Sequence, residues 1–86
     1  MKPDYGVAYG NRGVTKNHLK DYQGAIVDFT KAMEINSQDS RAYRGRARAK
    51  RLVKEYRGAL ADFDTSIKIY PKEFHAYNIG AWSNLI

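Results

Sequence analysis

The chain repeats itself. Displaced by 34 residues, Ala8-Tyr9 falls on Ala42-Tyr43, Arg12 on Arg46, Lys16 on Lys50, Lys20 on Lys54 and Tyr22 on Tyr56. Gly24-Ala25 falls on Gly58-Ala59, Asp28-Phe29 on Asp62-Phe63 and Ile35 on Ile69, and a second displacement carries Ala42-Tyr43 onto Ala76-Tyr77. No gap is needed. A fixed period of this length marks one supersecondary unit used several times, each copy burying its apolar face against the next. The chain reads as repeat 1 over about 6–39, repeat 2 over about 40–73 and a half repeat over about 74–86.

Within a unit the apolar spacing is helical. Ala25, Phe29, Ala32 and Met33 form one stripe, and Ala59, Phe63, Ser66 and Ile67 form its counterpart. The spacing predicts helices from about Tyr5 to His18, Tyr22 to Ile35, Ser40 to Val53 and Tyr56 to Tyr70, with a fifth over about Lys72 to Ile86. Leu19-Lys20-Asp21 turns the first corner; Asp21 suits the N-cap of the second helix, and Asp39 or Ser40 that of the third. Pro71 stands where one helix must stop and another can open. No strand or hairpin signal competes, so the fold class is all-α, built from antiparallel helix-turn-helix units.

The stretches A-Y-G-N-R-G-V-T-K-N-H-L-K-D-Y-Q-G-A-I-V-D-F-T-K-A-M-E-I-N and A-Y-R-G-R-A-R-A-K-R-L-V-K-E-Y-R-G-A-L-A-D-F-D-T-S-I-K-I-Y-P resemble tetratricopeptide repeats. The likeness rests on repeat length, the Tyr opening the first helix, Gly13 or Ala47, the Tyr-x-x-Ala start of the second helix, the late Phe, and Pro71 at the repeat's end. Ser37 replaces the usual terminal Pro and Ser66 an expected Ala, while Pro3 stands in phase with Pro71, as if an earlier repeat closed there. The resemblance implies a right-handed superhelix of five helices, here a segment or a short member of a longer array. Its concave surface, lined by the first helix of each repeat, would hold an extended peptide or a partner helix. Carried onto this chain, the concave positions are Val7, Gly10, Asn11, Val14, Asn17 and His18 in the first unit. In the second they are Arg41, Arg44, Gly45, Arg48, Arg51 and Leu52, and in the third His75, Asn78, Ile79, Trp82, Leu85 and Ile86.

Charge points at the same surface by an independent route. From Ser40 to Lys54 there are seven cationic side chains and no acid, while the whole protein is only +6, so the rest sums to −1. At roughly 100° per residue, Arg41, Arg44, Arg48 and Arg51 share one helix face, and Arg46 and Lys50 fall nearly opposite beside Ala42, Tyr43 and Val53. Charged helix faces are usually just solvated. Against that, like charges three and four residues apart repel one another. Arginine also favours planar, bidentate recognition of carboxylate or phosphate. The candidate ligand-binding residues are Asn11, Arg41, Arg44, Arg48, Arg51, Asn78 and Trp82, and the expected partner is an acidic peptide or protein segment. RNA or another polyanion is the alternative, with Trp82 or a tyrosine stacking on a base; a purely structural segment of a longer array is the blandest reading.

The remaining charges read as structural. Arg12 and Arg46 recur in step with Asp28 and Asp62, which predicts one Arg–Asp pair inside each repeat. Lys16, Lys20, Lys50 and Lys54 fall near helix C-termini, where cations favour the macrodipole. Tyr9, Tyr22, Tyr43, Tyr56, Phe29 and Phe63 are expected in the core. In the chaperone-binding subfamily of tetratricopeptide domains, Lys, Asn and Arg form a carboxylate clamp. Asn11 and Arg41 match two of its positions, but Gly45 stands where that subfamily has a basic residue, so the resemblance implies an incomplete clamp.

Other functions find little footing. His18 and His75 are isolated, with no second ligand at metal spacing, and Asp62 and Asp64 point to different helix faces. Gly6-x-x-x-Gly10-x-x-Gly13 resembles a phosphate loop only superficially, since no strand precedes it and no Gly-Lys-Ser/Thr follows. Its glycines instead suggest close approach of a neighbouring backbone. An enzyme, a cofactor and a metal are not expected. Cysteine is absent, which removes disulfides, thiolate ligands and cysteine nucleophiles. M-K-P-D-Y lacks the apolar core of a signal peptide, and no run approaches the ~20 apolar residues of a membrane span, so the cytoplasm is the default. The stretch E-F-H-A-Y-N-I-G-A-W-S-N-L-I carries more apolar groups than one buried stripe needs, which suggests self-association through the final helix.

Overall fold

The computed structural model describes residues 5–71. Four α-helices lie there: α1 (Tyr5–His18), α2 (Tyr22–Ile35), α3 (Ser40–Leu52) and α4 (Tyr56–Ile69). The expected count of five is therefore four among the described residues, and the fifth helix, with the half repeat, lies outside them. Val53 and Tyr70, read from sequence as the last helical residues, are the C-caps of α3 and α4.

Short connections fold consecutive helices back on one another, and α2 packs on both α1 and α3. The connections after α1 and α3 are copies. Asp21 N–H bonds the Lys16 carbonyl at 2.8 Å and Lys20 N–H that of Asn17 at 3.0 Å; Glu55 to Lys50 (2.7 Å) and Lys54 to Arg51 (3.0 Å) repeat the pattern. This is the Schellman arrangement, and its left-handed position is filled by Lys20 (φ 66°) and Lys54 (φ 69°), where glycine is favoured. Two lysines read as dipole partners thus also occupy the left-handed turn position that ends each helix. The N-caps are as expected for two helices: the Asp21 carboxylate accepts from Gly24 N–H, and Asp39 from Arg41 and Ala42 N–H.

The core is narrow and alanine-rich. Ala25, Phe29, Ala32, Met33, Ala42 and Ala49 are buried, with Tyr9, Tyr22, Ile26 and Tyr43 packed against them. Small side chains let the helices approach, and one large ring fills what remains: Phe29 is only 1% exposed. Its tip lies between two glycines on different helices. A Cβ built on Gly13 of α1 would come within 3.0 Å of the ring, and one on Gly45 of α3 within 2.6 Å of its Cε1. The close neighbour that these glycines admit is a ring, not a backbone. Tyr56, expected in the core, is 58% exposed, because among the described residues α4 has no following helix to cover the face that α3 covers on α2.

Each hairpin is also pinned by a buried carboxylate. Arg12 Nε and Nη2 grip Asp28 at 2.8 Å each, and Arg46 grips Asp62 at 2.8 and 2.7 Å. Lys16 and Lys50 add a second cation to each aspartate at 3.1 Å. Arg46 reaches further, donating from Nη1 to Thr30 Oγ1 of α2 at 3.1 Å, so it joins the two repeats. Tyr9 and Tyr43 sit beneath Arg12 and Arg46 at 5.4 and 6.0 Å from their ring centroids. The bidentate bond from Arg12 holds the Asp28 carboxyl down at about 2 against the opposing effect of burial, with Lys16 assisting. For Asp62 burial pushes upward most strongly, yet the hydrogen bonds from Arg46 and Lys50 together leave it lowered.

Candidate binding cleft

The helix α3 sorts its cations by face. Arg46 and Lys50 turn inward to Asp62, while Arg41, Arg44, Arg48 and Arg51 are exposed and line an open cleft shared with α1. The cleft has a volume of about 470 Å³. Its α1 wall is made by Val7, Gly10, Asn11, Val14, Asn17 and His18, and Phe29 and Gly45 lie at its floor. Asn17 ties the two walls together, donating from Nδ2 to the Gly45 carbonyl at 3.2 Å; its Oδ1 is buried without a partner.

Five of the seven candidate site residues, Asn11, Arg41, Arg44, Arg48 and Arg51, therefore surround one space. Asn78 and Trp82 lie outside the described residues. Leu52, expected on the concave surface, does not line the cleft, whereas Phe29, Asp39 and Phe63 do. Asp39 is an acid at the edge of the cationic strip, but its carboxylate already accepts two backbone N–H groups at the start of α3. The chain order D-S-R before a helix signals that cap; its place in the cleft follows from the strip beginning in the same turn. Phe29 was legible only as core, because its double role depends on two glycines 32 residues apart.

The side chains of Arg41, Arg48 and Arg51 have no ion-pair partner among the described residues. The repulsion along the strip is modest, about 0.2–0.5 kcal/mol for each neighbouring pair. At Gly45, where the clamp-forming subfamily has a basic residue, the Phe29 ring occupies the space any side chain would need. A side chain at this position would require the ring to move. Among the described residues no group of three or more His, Asp or Glu could hold a metal ion, and no helix is long and apolar enough to cross a membrane.

Two stacked antiparallel hairpins with a 34-residue period and a groove lined by the first helix of each form a helical-repeat arrangement. Among solved structures the chain is similar to the Arabidopsis OM64 TPR domain, with a TM-score of 0.77 and 33% sequence identity. The match covers 78% of this chain and 55% of that one, so the chain spans about half the length of its structural relative. The fold is TPR-like. No protein-family model matches the chain, and no curated protein does.

Proposed function

We propose that this chain is a protein-interaction scaffold that holds an acidic peptide or protein segment in the α1–α3 cleft. The observation that carries the reading is the division of labour on α3. Arg46 and Lys50, the cations the fold requires, are satisfied by Asp62, while Arg41, Arg48 and Arg51, without an ion-pair partner among the described residues, line the cleft. A guanidinium offers paired N–H donors that match a carboxylate, and four of them spaced over about 15 Å of helix form an extended receptor for negative charge. The ligand's acids would relieve the repulsion along the strip.

The test is a titration of a labelled acidic peptide by fluorescence anisotropy, against wild type and the double variant Arg44→Glu/Arg48→Glu, with helicity followed by circular dichroism. Loss of binding with unchanged helicity is expected, and unchanged affinity in the double variant overturns the proposal. A single-stranded oligonucleotide run in parallel separates the polyanion reading. If the oligonucleotide binds tightly with a steep salt dependence and the peptide does not, the scaffold reading gives way to nucleic-acid binding.

A further inference from the structure

The α1 wall of the cleft contains a glycine that packing does not explain. Gly13 is required by the Phe29 ring, but a Cβ on Gly10 would meet nothing within 4 Å among the described residues. Backbone conformation does not demand it either, since none of the described glycines has positive φ. A glycine inside a helix weakens it by about 0.5–1 kcal/mol relative to alanine. What Gly10 provides is a notch. Val7, Gly10 and Val14 fall at i, i+3 and i+7, on one face of α1, and both valines are 47% exposed while lining the cleft. The α1 wall therefore carries an aliphatic strip with a gap at its centre, beside the polar Asn11, Asn17 and His18, and the facing wall is cationic.

The differing chemistry of the two walls constrains what can lie between them. An extended chain rises about 3.3 Å per residue, so four or five residues span the roughly 15 Å of the strip, and their side chains alternate between two opposite faces, one for each wall. Resting on the proposed role of the cleft, we infer that its ligand is an extended segment alternating acidic and aliphatic residues. The acids face Arg41, Arg44, Arg48 and Arg51, and one aliphatic side chain seats in the Gly10 notch between Val7 and Val14.

The experiment compares three labelled peptides: Ac-Glu-Leu-Glu-Leu-Glu-Leu-NH2, its block isomer Ac-Glu-Glu-Glu-Leu-Leu-Leu-NH2, and the serine analogue Ac-Glu-Ser-Glu-Ser-Glu-Ser-NH2. Each is titrated against wild type, Gly10→Leu and Arg48→Glu. Burial of one aliphatic side chain should favour the alternating peptide over the serine analogue by at least about tenfold, and the block isomer should bind more weakly than the alternating one. Gly10→Leu fills the notch, keeps or raises thermal stability, and should erase the leucine-over-serine preference while leaving the charge-dependent part. Gly10→Ala, with a smaller side chain in open space, should narrow the preference in the same direction. Arg48→Glu should weaken all three. Equal binding of the three peptides, weakened by Arg48→Glu but untouched by Gly10→Leu and Gly10→Ala, overturns the notch and leaves the cleft standing. Absence of binding by any of them overturns both.

Discussion

Replacing Asp28 by asparagine removes one charge from the most buried polar position in the fold and leaves its shape. The side chain is wholly buried and its carboxyl is held at about 2, against 3.8 in the free side chain. At 1.36 kcal/mol per pH unit this difference stabilises the folded state by about 2 kcal/mol near neutral pH. That figure is an upper value, because Arg12, the principal partner, has a side chain 55% exposed and recovers hydration when the pair is lost. The sign follows from the lowered value. The contribution is fully present above the unfolded-state pKa near 4, shrinks as pH falls from about 4 to 2, and is lost below about 2. Urea denaturation of wild type and Asp28→Asn at a series of pH values should therefore show a gap of about 1–2 kcal/mol at pH 7 that closes by pH 2. A gap of the same size at both ends would mean that Asp28 acts through packing, and the electrostatic account would be wrong.

Further outcomes follow from the same contacts. Gly45→Ala should destabilise by about 1–3 kcal/mol, since its Cβ runs into the Phe29 ring, whereas Gly10→Ala should be neutral or stabilising; thermal melts of the pair settle this. Lys20→Gly and Lys54→Gly should each raise stability by about 0.5–1 kcal/mol, because the left-handed conformation is unfavourable for lysine by more than the added freedom of the unfolded chain; denaturant midpoints report it. Arg46→Met should cost more stability than Arg12→Met, because Arg46 is better buried and also holds Thr30 across the repeat boundary, and parallel urea curves compare them directly.

Much of the fold was legible because its signals are local and occur twice. The bounds of α1 and α2 followed from apolar spacing and the cap at Asp21, and the Arg–Asp pairs from residues recurring in step. What stayed hidden depends on relationships across the hairpin. Lys16 and Lys50 look like helix-end cations, yet the turn of helix that separates each from Arg12 or Arg46 sets both on one aspartate. Lys20 and Lys54 carry no mark of a left-handed backbone, because the usual mark is glycine. Tyr56 matches Tyr22 in sequence and differs in exposure because burial belongs to the neighbouring helix. The arginine face could be drawn from helical geometry alone, and the six α1 residues of the opposite wall are the concave positions that the tetratricopeptide resemblance implies; the meaning of Gly10 appears only when Gly13 is seen to be occupied.

The central claim is that the α1–α3 cleft receives an acidic segment, and backbone chemical-shift mapping tests it residue by residue. With the alternating Glu-Leu peptide added to isotope-labelled protein, shifts should concentrate at Val7, Gly10, Asn11 and Val14 on one wall and Arg41, Arg44, Arg48 and Arg51 on the other. They should leave the far side around Lys31 and Glu34 of α2 unmoved. Shifts centred on α2 and α4, or none at saturating peptide, would contradict the account.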